Sequence, residues 1–236
     1  MTELFHLEET RLKRSAFNII ENDKQAEAIG SIRPGMDIVM TKWAGLLGSC
    51  VLAAKYLKEL SERFSESYVE RSLKLVDYIS TDAEFELLDK QGIDSFARVG
   101  AGGVFSAIYE ILKPSGTGCE VFLPDIPILQ ETIEFAECFG LNPYMMLGYG
   151  SVIVVCENGL KLTRLFEEQG INAGVIGYTT KEKGRRIVIP IADDEDFGAA
   201  GKTRRRHKRE ERQLTPARYD AVAELVGLTK KEEGEA

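Results

Sequence analysis

The chain has 236 residues, 44% of them hydrophobic and 29% charged, the size and balance of one globular domain with appendages. A net charge of −8 argues against nucleic acid as the default partner, and no apolar run approaches the ~20 residues that span a bilayer. The opening "MTELFHLEETRLKR" lacks the apolar stretch of a signal peptide, so a cytoplasmic protein is expected.

Leu12, Ala16, Ile19 and Ile20 recur at helical spacing and predict an amphipathic helix over about Glu9 to Glu21, within an N-terminal helical arm at 1–32. "RPG" at Arg33 to Gly35 is a turn leading into the strand "DIVMT". "AGLLGSCVLAAKYLKEL" follows as a helix, "SESYVERS" opens a second, and Thr81 or Asp82 caps a third that ends at Gly92. "IDSFARV" is a strand that runs into three glycines, and Gly103 to Leu112 is a helix with Val104, Ala107, Ile108 and Ile111 inward. "GCEVFL" is a strand, Pro124 to Pro127 a turn, and Ile128 to Phe139 a helix. Asn142 caps a turn with Pro143 at its first helical position. "SVIVVC" is a buried strand, "GLKLTRLFEEQ" a helix closed by Gly170, and "AGVIGYTT" and "RIVIPI" are strands joined across "KEKG". Interleaved helices and strands with hairpin-like pairs indicate an α+β or α/β core over 33–192. Residues 193–236 read as a basic linker followed by a short C-terminal helix.

That linker holds seven Lys or Arg against two Glu between Lys202 and Arg212, a local +5. Without interleaved aromatics it offers RNA or another anionic surface a weak contact at most. Cys50, Cys119, Cys138 and Cys156 are widely spaced in apolar surroundings and read as buried free thiols. The chain has two histidines, His6 and His207, both in polar terminal stretches, which disfavours a His-based triad or metal site, and no metal ligands are assigned.

The chemistry-bearing candidate is "RVGAGGVFSAIYEI". A helix N-terminus presents unpaired N–H groups and partial positive charge, and glycines before it let a phosphate approach closely. Gly100, Gly102 and Gly103 meet that need and Arg98 adds charge. Yet Val104 and Phe105 stand where a Walker motif needs Lys and Ser/Thr, and where a dinucleotide fingerprint needs a small residue. Spacing alone leaves two readings open, an anion cradle and a close-packed strand-to-helix turn, with the turn the stronger. Lys42 in "TKWAGLLG" is either a phosphate contact beside Thr41 and Gly45 or a surface lysine at a helix start. Gly150 and Ser151 open a buried strand, where Ser151 can donate to an anion or simply finish a turn. Trp43, the sole tryptophan, packs or lines an apolar interface.

Several stretches together resemble the AIR synthase superfamily, in the subgroup of hydrogenase-maturation and thiamine-monophosphate-kinase-like proteins. They are "RPGMDIVMTKWAGLLGSCVLA", "FARVGAGGVFSAIYEI", "LPDIPILQETIEFAECFGLNPYMMLGYGSVIVV" and "GINAGVIGYTTKEKGRRIVI", in family order from about Arg33 to Ile191. The resemblance implies an α+β fold of three α/β/α layers, with a partly ferredoxin-like mixed sheet. It also implies that the loop of Thr41, Lys42 and Gly45 faces the same cleft as the glycine loop of Arg98, Gly100, Gly102 and Gly103; with Gly150 and Ser151 these are the candidate anion-binding residues. In complete members an N-terminal domain supplies the acidic residues that hold Mg-ATP. Here "RLKRSAFNII" resembles the first helix of such proteins, and "ENDKQAEAIGSI" alone separates it from the C-terminal type of domain.

Where the family places an acidic residue, a Thr and a Glu or Arg before the glycine pair, this chain has Arg98, Gly100 and Ala101. It ends "KKEEGEA", without the terminal cysteine of hydrogenase-maturation members. The resemblance therefore implies a non-catalytic ligand-binding or assembly module, compatible with a phosphate-containing ligand but not with Mg-ATP on the isolated chain. A homodimer or a complex with a related chain is expected. The alternative is an ATP-dependent phosphoryl-transfer or hydrogenase-maturation enzyme whose ATP domain comes from a partner chain.

Overall fold

The computed structural model describes residues 27–190, 209–217 and 220–225. The expected helix over Glu9 to Glu21 and residues 202–208 of the basic run lie outside them. Strands β1 (Glu27–Ile29) and β2 (Asp37–Thr41) precede helices α1 (Leu46–Lys55), α2 (Leu57–Ser61) and α3 (Glu66–Leu73) and a 3-10 turn at Lys74–Tyr78. Next come α4 (Asp82–Lys90), β3 (Ser95–Arg98), α5 (Gly103–Leu112) and β4 (Gly118–Phe122). A 3-10 turn at Leu123–Asp125, α6 (Gln130–Cys138) and another at Pro143–Met145 lead to β5 (Val152–Cys156) and α7 (Gly159–Glu168). The order closes with β6 (Ala173–Thr180), β7 (Arg185–Pro190), β8 (Arg209–Gln213) and α8 (Ala221–Leu225).

The strands make one mixed sheet in the order β1-β3-β5-β2-β6-β4-β7-β8, in which β4 and β7 alone pair in parallel among the described residues. Period-two alternation sends Ile38, Met40, Ile153 and Val155 to the face covered by α5, where Val104, Ile108 and Ile111 meet them. Val39, Val152 and Val154 point the other way, onto Leu87 and Leu88 of α4 and Leu162 and Phe166 of α7. Both faces of the central strands are thus buried, which is why β2 and β5 read as continuous apolar runs. The observed fold is the α+β class with a mixed sheet that the sequence resemblance implies.

Helix α1 is buried along nearly its whole circumference, with Leu46 to Ala54 inside, because it lies between the sheet region and other helices. Its neighbours supply Leu60, Val69 and Phe135, and Val222 and Ala223 of α8 close the same cluster.

Two expectations change on the sheet's far side. The strands flanking "KEKG" do not form a hairpin, because β4 lies between β6 and β7 and pairs with both. Gly118 makes this insertion feasible: a Cβ there would collide with the Glu182 and Gly184 carbonyls, and the next amide, Cys119 N–H, donates to Gly184 O at 3.1 Å. The end of the expected linker is also part of the fold, since Arg209–Gln213 pairs antiparallel with β7. Every residue of β8 is exposed, and four of the five are charged, a composition that blunts an edge strand against further pairing. Its charges are mixed: Arg212 Nε donates to Glu210 Oε1 at 2.7 Å, and Glu211 lies 3.6 Å from Arg186.

Cys50, Cys119 and Cys156 are buried, and burial pushes their thiols up to about 12, 11 and 11, while Cys138 is half-buried. An aromatic disulfide reagent at neutral pH is expected to modify Cys138 rapidly in the native protein and all four thiols in urea. Rapid native modification of a second thiol would contradict this packing.

Candidate functional site

Three loops converge where β2, β3 and β5 meet their helices. The first runs from Thr41 into α1, the second from Arg98 into α5, and the third from Met146 to Ser151 lies between them. Gly48 N–H donates to Leu147 O at 2.9 Å, Gly148 N–H to Gly100 O at 3.2 Å, and Val99 N–H to Ser151 O at 2.9 Å. All nine residues singled out in the sequence therefore sit in one contiguous region.

Lys42 has φ 53°, the positive value that non-glycine residues rarely adopt, and no other described non-glycine residue shares it. The conformation is held from both sides: Lys42 N–H donates to Asn172 O at 2.7 Å, and Asn172 Nδ2 donates to Lys42 O at 3.3 Å. It turns the side chain inward rather than toward solvent. The ammonium lies 2.7 Å from Glu84 Oε1 and donates to Ser80 O at 2.5 Å, with side-chain exposures of 9% for Lys42 and 1% for Glu84. Thr41, fully buried, accepts from Val152 N–H at 3.0 Å, and its hydroxyl faces Glu84 Oε1 at 3.5 Å.

Ser151 Oγ donates to Trp43 O at 2.8 Å. Gly150, at φ 106°, lies close against Tyr78 O and Ile79. Arg98 Nε donates to Thr81 Oγ1 at 3.1 Å, and its guanidinium stacks 4.7 Å from the Phe85 ring. Lys42, Arg98 and Gly150 thus all meet the stretch from Tyr78 to Phe85. Trp43 and Tyr78 rings meet edge to face at 5.4 Å, with Tyr78 exposed. Sequence reasoning missed Glu84. Its signal was present, since a carboxylate three and four residues before inward Leu87 and Leu88 lies on the buried face of α4.

The glycine loop is a close-packed strand-to-helix turn. Gly100 O accepts from Gly103 N–H at 3.2 Å, closing a turn in which Gly102 and Gly103 have φ 80° and 67°. Gly103 is pressed against the backbone of Tyr144, Met145 and Met146, and Phe105 stacks on Tyr144 at 5.5 Å, so close packing is one reason for the glycines. The loop also meets a carboxylate of the chain itself. Gly102 N–H donates at 2.8 Å to Asp220 Oδ2, and Asp220 Oδ1 accepts from Val222 and Ala223 N–H at 3.0 and 3.1 Å. Burial pushes the Asp220 carboxyl above its ordinary value, opposed by the backbone amides of Gly102, Ala223, Val222 and Leu147 that favour its charge. The sequence signal for Asp220 was its place as cap before "AVAEL". Gly45 serves α1 instead, as its left-handed N-cap packed against Thr132 and Pro143 O. Among the described residues there is no group of three or more His, Cys, Asp or Glu able to hold a metal ion, and no helix is long and apolar enough to cross a membrane.

Known proteins share this framework. A phosphoribosylformylglycinamidine synthase subunit PurL of Caldanaerobacter subterraneus subsp. tengcongensis is 27% identical over 177 residues, 72% of this chain and 23% of that protein. A phosphoribosylformylglycinamidine cyclo-ligase of Bacillus mycoides is 36% identical over 106 residues, covering 42% of this chain and 30% of that one. The structure of E. coli HypE, a hydrogenase maturation protein, superposes with a TM-score of 0.56 at 16% identity, over 80% of this chain and 52% of HypE. The chain thus spans under a third of those curated relatives and about half of HypE. The family model for the AIR synthase related protein C-terminal domain matches residues 33–190, so the chain belongs to that family.

Proposed function

We propose that this chain is a non-catalytic binding and assembly module of the AIR synthase-related type, which keeps a glycine-lined anion site and works in complex with a second copy or a related chain. The observation that carries the reading is the fate of Lys42. Phosphoryl transfer needs cations free to meet the transferred group and carboxylates free to hold metal. The Lys42 ammonium is instead buried against Glu84 and Ser80 O, and Arg98 is taken up by Thr81 and Phe85. What the glycine loop presents, now to the Asp220 carboxylate, is backbone amide, which binds charge without performing chemistry on it. Exposed Tyr78 beside Trp43, with Ile133 and Leu160 elsewhere on the helices, supplies apolar surface for assembly.

Light scattering coupled to gel filtration, together with a coupled ATPase assay, tests both halves. The expected result is a mass of at least two chains at micromolar concentration and no magnesium-dependent ATP turnover by the purified protein. A monodisperse monomer removes the assembly role, and steady ATP turnover removes the non-catalytic one.

A further inference from the structure

The C-terminal segment returns to the glycine loop across 118 residues of sequence and is fastened there at several points. Leu214 is buried in the cluster beneath α5, and Ala217 N–H donates to Ser106 Oγ at 3.0 Å. Val222 and Ala223 are buried with α1 and α6, and Lys55 Nζ donates to Leu225 O at 2.7 Å. Between these anchors sits Asp220, 5% exposed.

Capping α8 needs only one of its carboxylate oxygens, the Oδ1 that takes the Val222 and Ala223 amides. The second oxygen is spent on Gly102, at the start of the ten-residue helix α5. A buried negative charge is a costly way to tie down a chain end, because a hydrophobic foot would do so without desolvating an ion. It is well matched, however, to amides and a helix dipole that favour negative charge. The glycine loop thus already holds an anion, and the anion belongs to the chain.

We propose that residues 214–217 and 220–225 belong to a strap whose Asp220 carboxylate occupies the glycine loop in place of a phosphate-bearing ligand, so that the loop binds such a ligand when the strap lifts. The proposal rests on the reading of the loop as an anion site. The strap is suited to lifting: among the described residues α8 spans five, too short a run to nucleate by itself, and the preceding β8 is a fully exposed edge strand. A phosphate monoester or pyrophosphate brings more charge than one carboxylate to the Gly102 amide. Masking weakens apparent affinity by the fraction of molecules with the strap lifted, so weakening the strap strengthens ligand binding with no new contact.

The test uses the full chain, isotope-labelled, with inorganic pyrophosphate as the probe and the Gly102 and Gly103 amides as reporters. The Asp220→Ala variant is expected to bind pyrophosphate at least about tenfold tighter than wild type, with resonance changes centred on those two amides. Hydrogen exchange at Val222 and Ala223 reports the lifting and is expected to accelerate. Val222→Ala trims the strap's apolar foot and leaves the loop unaltered, and it is expected to give a smaller gain in affinity. That variant decides the matter if Asp220→Ala does not fold, and unchanged affinity despite faster exchange then overturns the strap. Equal affinity at Gly102 in wild type and Asp220→Ala overturns the strap and leaves the anion site standing. Silence at Gly102 in an Asp220→Ala protein whose strap amides exchange freely overturns the anion site, and the strap's masking role with it.

Discussion

Replacing Lys42 with methionine is expected to lower the unfolding free energy by about 3–5 kcal/mol, the range found when one partner of a buried ion pair is removed. Methionine keeps the length of the side-chain stem, so the loss is charge rather than volume. Among the described residues, Glu84, 1% exposed, is left with a long contact to the Thr41 hydroxyl. It then holds a carboxylate in the core with no cation to offset its desolvation, which is costly. The left-handed backbone at residue 42 acts in the same direction for either side chain, costing about 1–2 kcal/mol in each, and so cancels in the comparison. The double variant Lys42→Met, Glu84→Leu removes both charges and is expected to regain most of the loss, as apolar replacements of buried ion pairs do. Urea titrations of the three proteins at pH 7 provide the measurement. A single variant within about 1 kcal/mol of wild type would show that water reaches Glu84, and would return Lys42 to the surface as a free cation.

What could be seen in the sequence and what could not divides along the distance between partners. The strand "DIVMT" and the buried run "VIVVC" were legible because alternation and apolar continuity are local properties, and both survive as β2 and β5. Helix α5 was legible to the residue, its glycine start and its inward Val104, Ile108 and Ile111 all lying within three turns. The pairing of β6 and β7 with β4 was not, because two strands and a short loop look like a hairpin until a third strand intrudes. In "REERQ" the charges suggested a solvated linker, since an exposed edge strand has no buried face to impose a pattern.

The candidate site divides in the same way. Its glycines and Lys42 stood out by type and spacing, whereas their partners Glu84 and Asp220 lie 42 and 118 residues away from Lys42 and Gly102, beyond the reach of any motif. Without those two carboxylates the pattern resembles an open phosphate site; with them, its cation is neutralised and its amide is taken.

Gly103→Ala is expected to be the most damaging single methyl group in the glycine loop, lowering stability by about 2–5 kcal/mol or preventing the protein from accumulating. Two separate penalties combine there. At φ 67° an alanine Cβ crowds its own backbone, which costs about 1–2 kcal/mol. The new methyl also lies 2.7 Å from Met146 O and 2.9 Å from Met145 Cα, with Tyr144 O nearer still. These are backbone atoms of a turn fixed by the Asn142 side chain, which accepts from Tyr144 N–H at 3.1 Å, and by the Phe105–Tyr144 stack. They cannot yield as a side-chain tip can, and overpacking of this kind adds about 1–3 kcal/mol. Gly92→Ala isolates the first penalty, because φ is 63° there and nothing lies within 4 Å of the added methyl. Gly102→Ala is intermediate, since its nearest obstacle is the Ser106 hydroxyl, which can rotate away at the expense of its bond from Ala217 N–H. The expected order of urea midpoints is therefore Gly92→Ala above Gly102→Ala above Gly103→Ala. If Gly103→Ala and Gly92→Ala lose the same amount, the contact between loop and turn is soft. The glycines would then serve the approach of a ligand rather than the packing of the chain, and the open question in "GAGG" would be decided against the close-packed turn.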